Sequence, residues 1–363
     1  MELNLTEEQV LMRDSATRFI EAAGPKVARG FRGSDPGFQP ARLREAADLG
    51  WLGILVPEAA GGLGLGLTEL ALMLEQSGRG LVCEPVGFAA IAAFALSAGP
   101  KPHPMLESVL MGKALVVPAL HESAFGDPLV PNTQAKGQDA AWRLTGAKAF
   151  VCADGADGFL VSADASGRTA LFHVARDASG VALTATETVD GRRLWTLRLV
   201  DTPAEIVPPH PSSRSAVEAL HDLALFSLSA ELLGVMEKAQ EITLDYLRTR
   251  KQFGRAIGSF QAIQHQSANI FVRIEATRSL VFQIAVNNDA ASLDPAMAIA
   301  AKAKASEDAI AVTQNCIQLH GGIGFTDEHD IGLYLKRAML LSSQFGNATA
   351  QRQRYVAIVG LSA

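Results

Sequence analysis

The 363-residue sequence predicts an α+β protein of several domains, with helices at both ends and a small β domain between them. Apolar residues recur at helical spacing in the N-terminal third, short β-type runs broken by Gly, Asp and Pro fill the middle, and helical periodicity then returns. We expect an N-terminal all-α domain at 1–114, a central small β-barrel or sandwich at 115–212, and a C-terminal four-helix bundle at 213–363.

The N-terminal helices follow from local signals. Thr6 to Gln9 reads as a capping box that opens a helix. The glycine-rich segment 61–66 is a flexible break, and the pattern of Thr68–Leu81 predicts a further amphipathic helix. The Pro-rich segment 99–104 predicts a loop.

The β domain and the bundle are predicted by a change of period. Segments 115–117, 159–161 and 194–200 are β-type runs, and the Pro-rich segment 208–211 closes the domain as a rigid linker. Beyond it, apolar residues fall on one helix face, namely Ile263, Ile270, Ile274 and Val281.

Composition excludes several classes of protein. The formal net charge of -6 and the absence of a block of like charges argue against a nucleic-acid partner. Three cysteines without metal-ligand spacing indicate a reduced, cytoplasmic setting and no metal site. The acidic start of the sequence does not resemble a signal peptide, and the apolar stretch 86–98 is too short to span a bilayer.

Two motifs carry the chemistry. Arg250-Lys251-Gln252-Phe253-Gly254, with Gln261 beyond it, places an arginine at a helix end beside a glycine turn, which suits a phosphate group. The segment 318–325 (QLHGGIGF) is a glycine-rich turn after a helix, where amides can approach a cofactor closely. Taken singly, the first could be a solvated charge and the second an ordinary helix stop.

Together these motifs resemble the C-terminal signature of the acyl-CoA dehydrogenase family. The segments 57–64 (PEAAGGLG) and 75–81 (EQSGRGL) resemble its N-terminal helical region, and 142–151 (WRLTGAKAFV) resembles its β domain. The resemblance covers nearly the whole chain in the family's order.

The resemblance implies FAD as cofactor, an acyl-CoA as substrate and an electron-transfer flavoprotein as electron acceptor. It implies that residues in three groups bind FAD: Arg250, Gln261 and Phe253 at the pyrophosphate and adenosine of a neighbouring subunit's FAD; Gln318, Gly321 and Gly322 at the adenine end across a subunit interface; and Phe150, Val151 and Cys152 beside the flavin ring. The stretch 120–123 (LHES) stands where the family has a Thr-Glu-Pro strand that contacts the flavin and the thioester, and it matches that strand poorly.

In the family a carboxylate removes the α-proton of the thioester while the flavin takes the β-hydrogen as hydride. Counting from Gln318 by the family's usual spacing places Phe345 at the position of that base. An alternative position on an earlier helix, counted back from Arg250, is Ala224. Asp222 points elsewhere and Glu231 lies near the same face about 10 Å along the axis, and either could be a solvated helix carboxylate.

The sequence therefore resembles the base-lacking, non-catalytic subunit of heteromeric acyl-CoA dehydrogenases, which pairs with a homologous catalytic subunit in a heterotetramer. A self-sufficient homotetramer that uses Glu231 as an unusual base is a second hypothesis. A catalytically silent assembly subunit is a third, and a flavin oxidase or monooxygenase on the same scaffold is a weaker fourth.

Overall fold

The computed structural model describes residues 5–123, 126–138 and 141–360. The chain is first helical, then β, then helical again, in the order that the sequence predicts. The N-terminal helices are α1 (Glu7–Glu21), α2 (Pro25–Gly30), α3 (Pro40–Asp48), α4 (Leu67–Arg79), α5 (Val86–Leu96) and α6 (Met105–Leu110).

For two of these helices, α1 and α4, the structure can be compared with a prediction from local sequence. The capping box of α1 is present, because Thr6 Oγ1 accepts from the Gln9 amide at 3.2 Å and Gln9 Oε1 accepts from the Thr6 amide at 3.0 Å. The prediction of an amphipathic helix at 68–81 is wrong in its exposure. Residues 67–78 of α4 are buried with one exception, because other helices cover α4 on more than one side.

The central region is a sheet that closes on itself. Its strands are β1 (Val116–Ala119), β2 (Gln134–Gln138), β3 (Ala141–Val151), β4 (Gly158–Asp164), β5 (Thr169–Ala175), β6 (Val181–Glu187) and β7 (Arg193–Val207). The hydrogen-bonded order is β1-β4-β2-β3-β7-β5, and β5 pairs in turn with β4. The long strand β7 pairs antiparallel with three other strands, β3, β5 and β6, and so connects them within the sheet.

The C-terminal helices are α7 (Ala216–Thr249), α8 (Gln261–Asn287), α9 (Pro295–His320), α10 (Ile331–Ser343) and α11 (Ala348–Val359), with a short hairpin of β8 (Lys251–Gln252) and β9 (Arg255–Ala256) after α7. α7 is central, since it packs against α4, α5, α8, α9 and α10. It is long and apolar enough to cross a membrane, but 89% of its most apolar window is buried in the protein, as in the core helix of a soluble protein.

Candidate functional site

The two sequence motifs meet at one surface. Arg250 is the C-cap of α7, and one turn before it the ring of Tyr246 stacks on the ring of His320, with centroids 4.6 Å apart. His320 is the last residue of α9, and Gly321 follows it directly. The packing of α7 against α9 therefore places the arginine motif beside the glycine turn.

This surface offers donors to an anion. The Arg250 side chain is exposed and makes no hydrogen bond or ion pair with the described residues. Gly321 has φ +65°, and open space surrounds the positions where Gly321 and Gly322 would carry a Cβ. Gln261 and Gln318 are also exposed. A free guanidinium and uncovered turn amides suit a phosphate group.

Exposed aromatic and aliphatic side chains belong to the same two motifs. Phe253 is 92% exposed, Phe325 77% and Ile323 41%. Large apolar side chains exposed in this way next to an unpaired arginine are typical of a protein–protein interface. The surface is thus suited to a ligand that is shared with another chain.

A second set of residues lies where β3 ends against α10. Phe150 has φ +60° and is 47% exposed, which sets its ring on the surface of the β region. Cys152 Sγ accepts a hydrogen bond from Gln344 Nε2 at 3.1 Å, and the buried Gln344 Oε1 has no partner among the described residues. Burial raises the pKa of the Cys152 thiol to about 11, so it stays protonated at neutral pH.

A cavity of about 60 Å³ adjoins Cys152 and Gln344. Val86, Phe88 and Leu228 are among its apolar lining residues, whereas Arg192 and Glu231 are charged. The cavity is therefore amphipathic.

The two candidate carboxylates, Glu231 at the cavity and Asp222 elsewhere on α7, are both engaged. Glu231 Oε1 pairs with Arg337 Nη1 at 3.2 Å. Asp222 is buried beside His221 Nδ1 at 3.3 Å and Arg214 Nη2 at 3.6 Å. The interpretation of these two residues as solvated helix carboxylates is wrong, because other elements cover both side chains. Burial raises the pKa of Asp222 to about 7.

The two positions at which the family's base was sought are apolar in the structure. Ala224 is fully buried in α7. Phe345 is half-buried in the turn between α10 and α11, and its ring lies between Phe88, His121 and His221, with centroid distances of 5.9, 5.1 and 6.1 Å. Neither position carries a group that can accept a proton.

Helix α7 separates the two sets of residues. Glu231 lies beside the cavity and Arg250 caps the far end of the same helix. The nineteen residue steps from Glu231 to Arg250 along the helix span about 28 Å. An extended dinucleotide whose ring lay at Cys152 would have to run this distance to bring its pyrophosphate to Arg250 of the same chain.

The chain matches two family models, "Acyl-CoA dehydrogenase, N-terminal domain" over residues 6–99 and "Acyl-CoA dehydrogenase, C-terminal domain" over residues 216–358. Acyl-CoA dehydrogenase IpdE2 of Mycobacterium tuberculosis is 33% identical over 334 residues, which are 92% of this chain and 91% of that protein. The chain belongs to the acyl-CoA dehydrogenase family.

Solved structures of family members share the fold over nearly the whole chain. The Tcur3481-Tcur3483 steroid ACAD superimposes with a TM-score of 0.89 at 33% identity and covers 98% of this chain and 99% of that one. The ChsE4-ChsE5 complex from Mycobacterium tuberculosis gives a TM-score of 0.87 at 28% identity, with full coverage of both chains. Membership makes the protein an oxidoreductase of a flavoprotein family whose cofactor is FAD.

The residues present fit FAD at both ends. The unpaired guanidinium of Arg250 and the open turn at Gly321 and Gly322 suit a pyrophosphate. At the other end, the buried Gln344 Oε1 is an acceptor without a partner, and it lies beside Cys152, where an N–H of a flavin ring could satisfy it.

Sequence reasoning missed several residues of this region. Phe88 and His221 surround Phe345, Arg337 holds Glu231, and Lys302 is a fully buried lysine of α9. Only Lys302 had a local signal, since it is a charged residue within an alanine-rich helix. The others are brought in by long-range packing.

Proposed function

We propose that the chain is an FAD-dependent acyl-CoA dehydrogenase subunit that serves α,β-dehydrogenation of an acyl-CoA thioester only together with a homologous, base-bearing chain. The observation that carries this proposal is the apolar character of both base positions, Phe345 and Ala224. It is supported by the engagement of the two carboxylates considered as alternative bases, since Glu231 is bound by Arg337 and Asp222 is buried beside His221.

In this proposal the chain's residues bind and orient. Arg250, with Gln261, holds the pyrophosphate of an FAD whose ring lies in the neighbouring chain, because α7 places Arg250 about 28 Å from its own cavity. Phe253 packs against the adenosine side, and Gln318 with the turn at 321–322 lines the adenine end. Phe150 and Cys152 face the flavin ring on their own side. Bound FAD supplies the hydride acceptor.

The proposed domains are those expected from the sequence: a helical domain at 1–114, a β-barrel or sandwich at 115–212 and a helical bundle at 213–363. The described part of that bundle has five helices, α7 to α11, instead of the expected four, because α11 follows the turn after α10 and packs on α9. The proposed assembly is a heterotetramer in the cytoplasm that passes electrons to an electron-transfer flavoprotein.

The test is reconstitution. The chain is purified alone and after co-expression with a homologous chain that carries the base, and turnover of acyl-CoA esters is measured for both. We expect the lone chain to be slower by at least about 10²–10⁴-fold, the usual loss when a general base is absent. Full turnover by the lone chain would refute the proposal.

A self-sufficient homotetramer is the second candidate, because Glu231 lies against the cavity. Activity of the lone chain that disappears in Glu231→Gln while the flavin is retained would favour it. A protein that holds no flavin and adds nothing to its partner's turnover would instead be an assembly subunit.

Arg250→Ala should weaken FAD binding by the assembled complex by about tenfold to a hundredfold, because a charged hydrogen bond to phosphate contributes on the order of 1.5–3 kcal/mol. The measurement is the FAD dissociation constant, by flavin fluorescence during titration of the apo-complex. Arg248→Ala is the matched control, since Arg248 lies on the same helix end, is exposed, and pairs with no described residue other than Asp245. Equal affinity in the two variants would contradict the assignment of Arg250.

A further inference from the structure

The turn between α10 and α11 holds an unusual backbone conformation. Phe345 has φ +56° and Gly346 has φ +96°. A bulky non-glycine residue rarely adopts positive φ, and such a conformation persists only where the surroundings hold it. The surroundings of this turn are therefore informative.

Two fully buried polar side chains hold the turn. Lys302 Nζ, from α9, donates to Ser306 Oγ at 2.9 Å, Ser342 O at 3.0 Å and Gly346 O at 3.2 Å. Gln351 Nε2, from α11, donates to the carbonyl oxygen of Phe345 at 2.5 Å. Lys302 thus binds carbonyl groups on either side of residue 345, at the end of α10 and in the turn, and Gln351 binds the carbonyl group of residue 345 itself.

Lys302 is a costly way to stabilise a turn. It pairs with no carboxylate of the described residues, and burial alone lowers its pKa to about 7. A buried ammonium without a counter-ion costs several kcal/mol, and an apolar side chain of similar size is often tolerated better. The geometry that Lys302 imposes on the turn is a better explanation for its presence than a gain in stability.

That geometry aims the ring of Phe345. Its centroid lies 5.1 Å from that of His121 in an edge-on arrangement and 5.9 Å from that of Phe88. Phe88 and Gln344, the residue before Phe345, both line the cavity beside Cys152. The ring therefore occupies the space next to the cavity, between the β region and the bundle.

We propose that the ring of Phe345 blocks entry of the acyl thioester to the cavity beside Cys152, and that Lys302 and Gln351 are positioning residues that hold this ring in place. We call the Phe345 ring the plug. The inference rests on the proposed function and deepens it. The chain is not merely without a base; it excludes the substrate and leaves it to the homologous chain. The carbonyl contacts of Lys302 and Gln351 keep the plug in place.

Phe345→Ala should open the cavity beside Cys152 to the thioester. Binding of octanoyl-CoA to the purified full-length chain is measured by titration calorimetry. We expect the variant to bind at least about tenfold more tightly than the wild type, a gain of at least about 1.4 kcal/mol. In the complex, the number of thioesters bound per pair of chains should rise from one to two.

Phe271→Ala is the control, because it removes the same atoms from an exposed position on α8 and should leave binding at the wild-type level. The plug is refuted if wild type and Phe345→Ala bind the thioester equally, or if neither binds it. Both results are distinct from failure of the proposed function, which would appear as turnover by the lone, unmodified chain.

Lys302→Met tests the positioning role separately. We expect it to admit octanoyl-CoA as well and to increase amide exchange at residues 344–347, while the melting temperature stays equal or rises because an unpaired buried charge is removed. A lysine that only supports the fold would instead lower the melting temperature without any gain of binding, and that result would remove Lys302 from the proposal.

Discussion

Replacing Gly234 with alanine should destabilise the protein by about 3 kcal/mol or more, the upper end of the cost of inserting a methyl group into a packed core. A Cβ on Gly234 would lie 1.7 Å from the carbonyl oxygen of Glu75 and 2.9 Å from the amide nitrogen of Arg79. These are backbone atoms of α4, which cannot move aside as the end of a flexible side chain can. Helix α7 and helix α4 would have to separate.

Where α4 and α7 cross, each helix places a glycine against the backbone of the other. A Cβ on Gly78 of α4 would lie 2.0 Å from the carbonyl oxygen of Glu231 on α7. Glycines on both helices thus allow the two backbones to approach closely. Because Glu231 and Leu228 lie on the same stretch of α7 and line the cavity, a shift at this crossing should also disturb the cavity wall.

Denaturation by urea, followed by circular dichroism, measures the effect of Gly234→Ala. The control is Gly332→Ala, at a helical glycine of α10 whose added Cβ would meet its nearest atom at 4.0 Å. There alanine should be neutral or slightly stabilising, because it has the higher helix propensity. If both variants unfold at the same midpoint, the close crossing does not limit stability.

The sequence predicts the parts of this protein that local rules determine. The capping box at Thr6, the helix end at Arg250 and the glycine turn after His320 are all where their short motifs place them. Each depends on a few neighbouring residues, and the resemblance to a family added the order of the helical and β regions.

The failures of sequence reasoning concern burial and distant contacts. α4 reads as amphipathic, but it is covered because α1 and α7 both pack on it. Asp222 reads as a surface carboxylate, but the packing around the start of α7 buries it. The position of the Phe345 ring depends on Phe88 and His121, which lie far away in sequence. Hydrophobic periodicity reports on a segment, not on the number of elements that cover it.

For the same reason, the sequence pattern did not predict that a charged side chain is buried inside the β region. Lys148 of β3 is fully buried, although a lysine in an alternating strand reads as a solvent-facing residue. Its Nζ donates to Glu122 Oε1 at 2.8 Å, to Ser162 Oγ at 3.1 Å and to Leu120 O at 3.3 Å. The segment 120–123, whose match to the family is poor, is therefore tied to the sheet by an ion pair whose lysine is fully buried and whose carboxylate is partly exposed.

Glu122→Gln should cost about 1–3 kcal/mol, because Lys148 is fully buried and would lose its charged partner, whereas the Glu122 side chain is 16% exposed and partly screened by solvent. Glu122 also accepts from the Thr133 amide at 2.8 Å and the Thr133 hydroxyl at 2.6 Å, while Asn132 donates to its second oxygen through its amide at 2.8 Å and its side chain at 3.0 Å. A glutamine can accept some of these bonds, but it cannot balance the charge of Lys148.

The pH dependence of the folding stability of the wild type should report on the Glu122 carboxylate. Burial tends to raise the pKa of Glu122, but the hydrogen bonds from Lys148 and Thr133 and the charge of Lys148 outweigh it and lower the pKa to about 2. Because the pKa is lower in the folded state, the contribution is complete above the unfolded value near 4.3 and is lost as the pH falls towards 2.

Urea midpoints measured between pH 7 and pH 2.5 should therefore fall steeply in the wild type below pH 4.5, whereas Glu122→Gln should start lower and fall less over that range. Glu187→Gln, at an exposed residue of β6, is the control and should follow the wild-type curve. Parallel curves for wild type and Glu122→Gln below pH 4.5 would show that the Glu122–Lys148 pair does not determine acid stability. A smaller acid-induced loss in Glu122→Gln than in wild type and Glu187→Gln would instead link acid stability to the segment that carries His121 against the ring of Phe345.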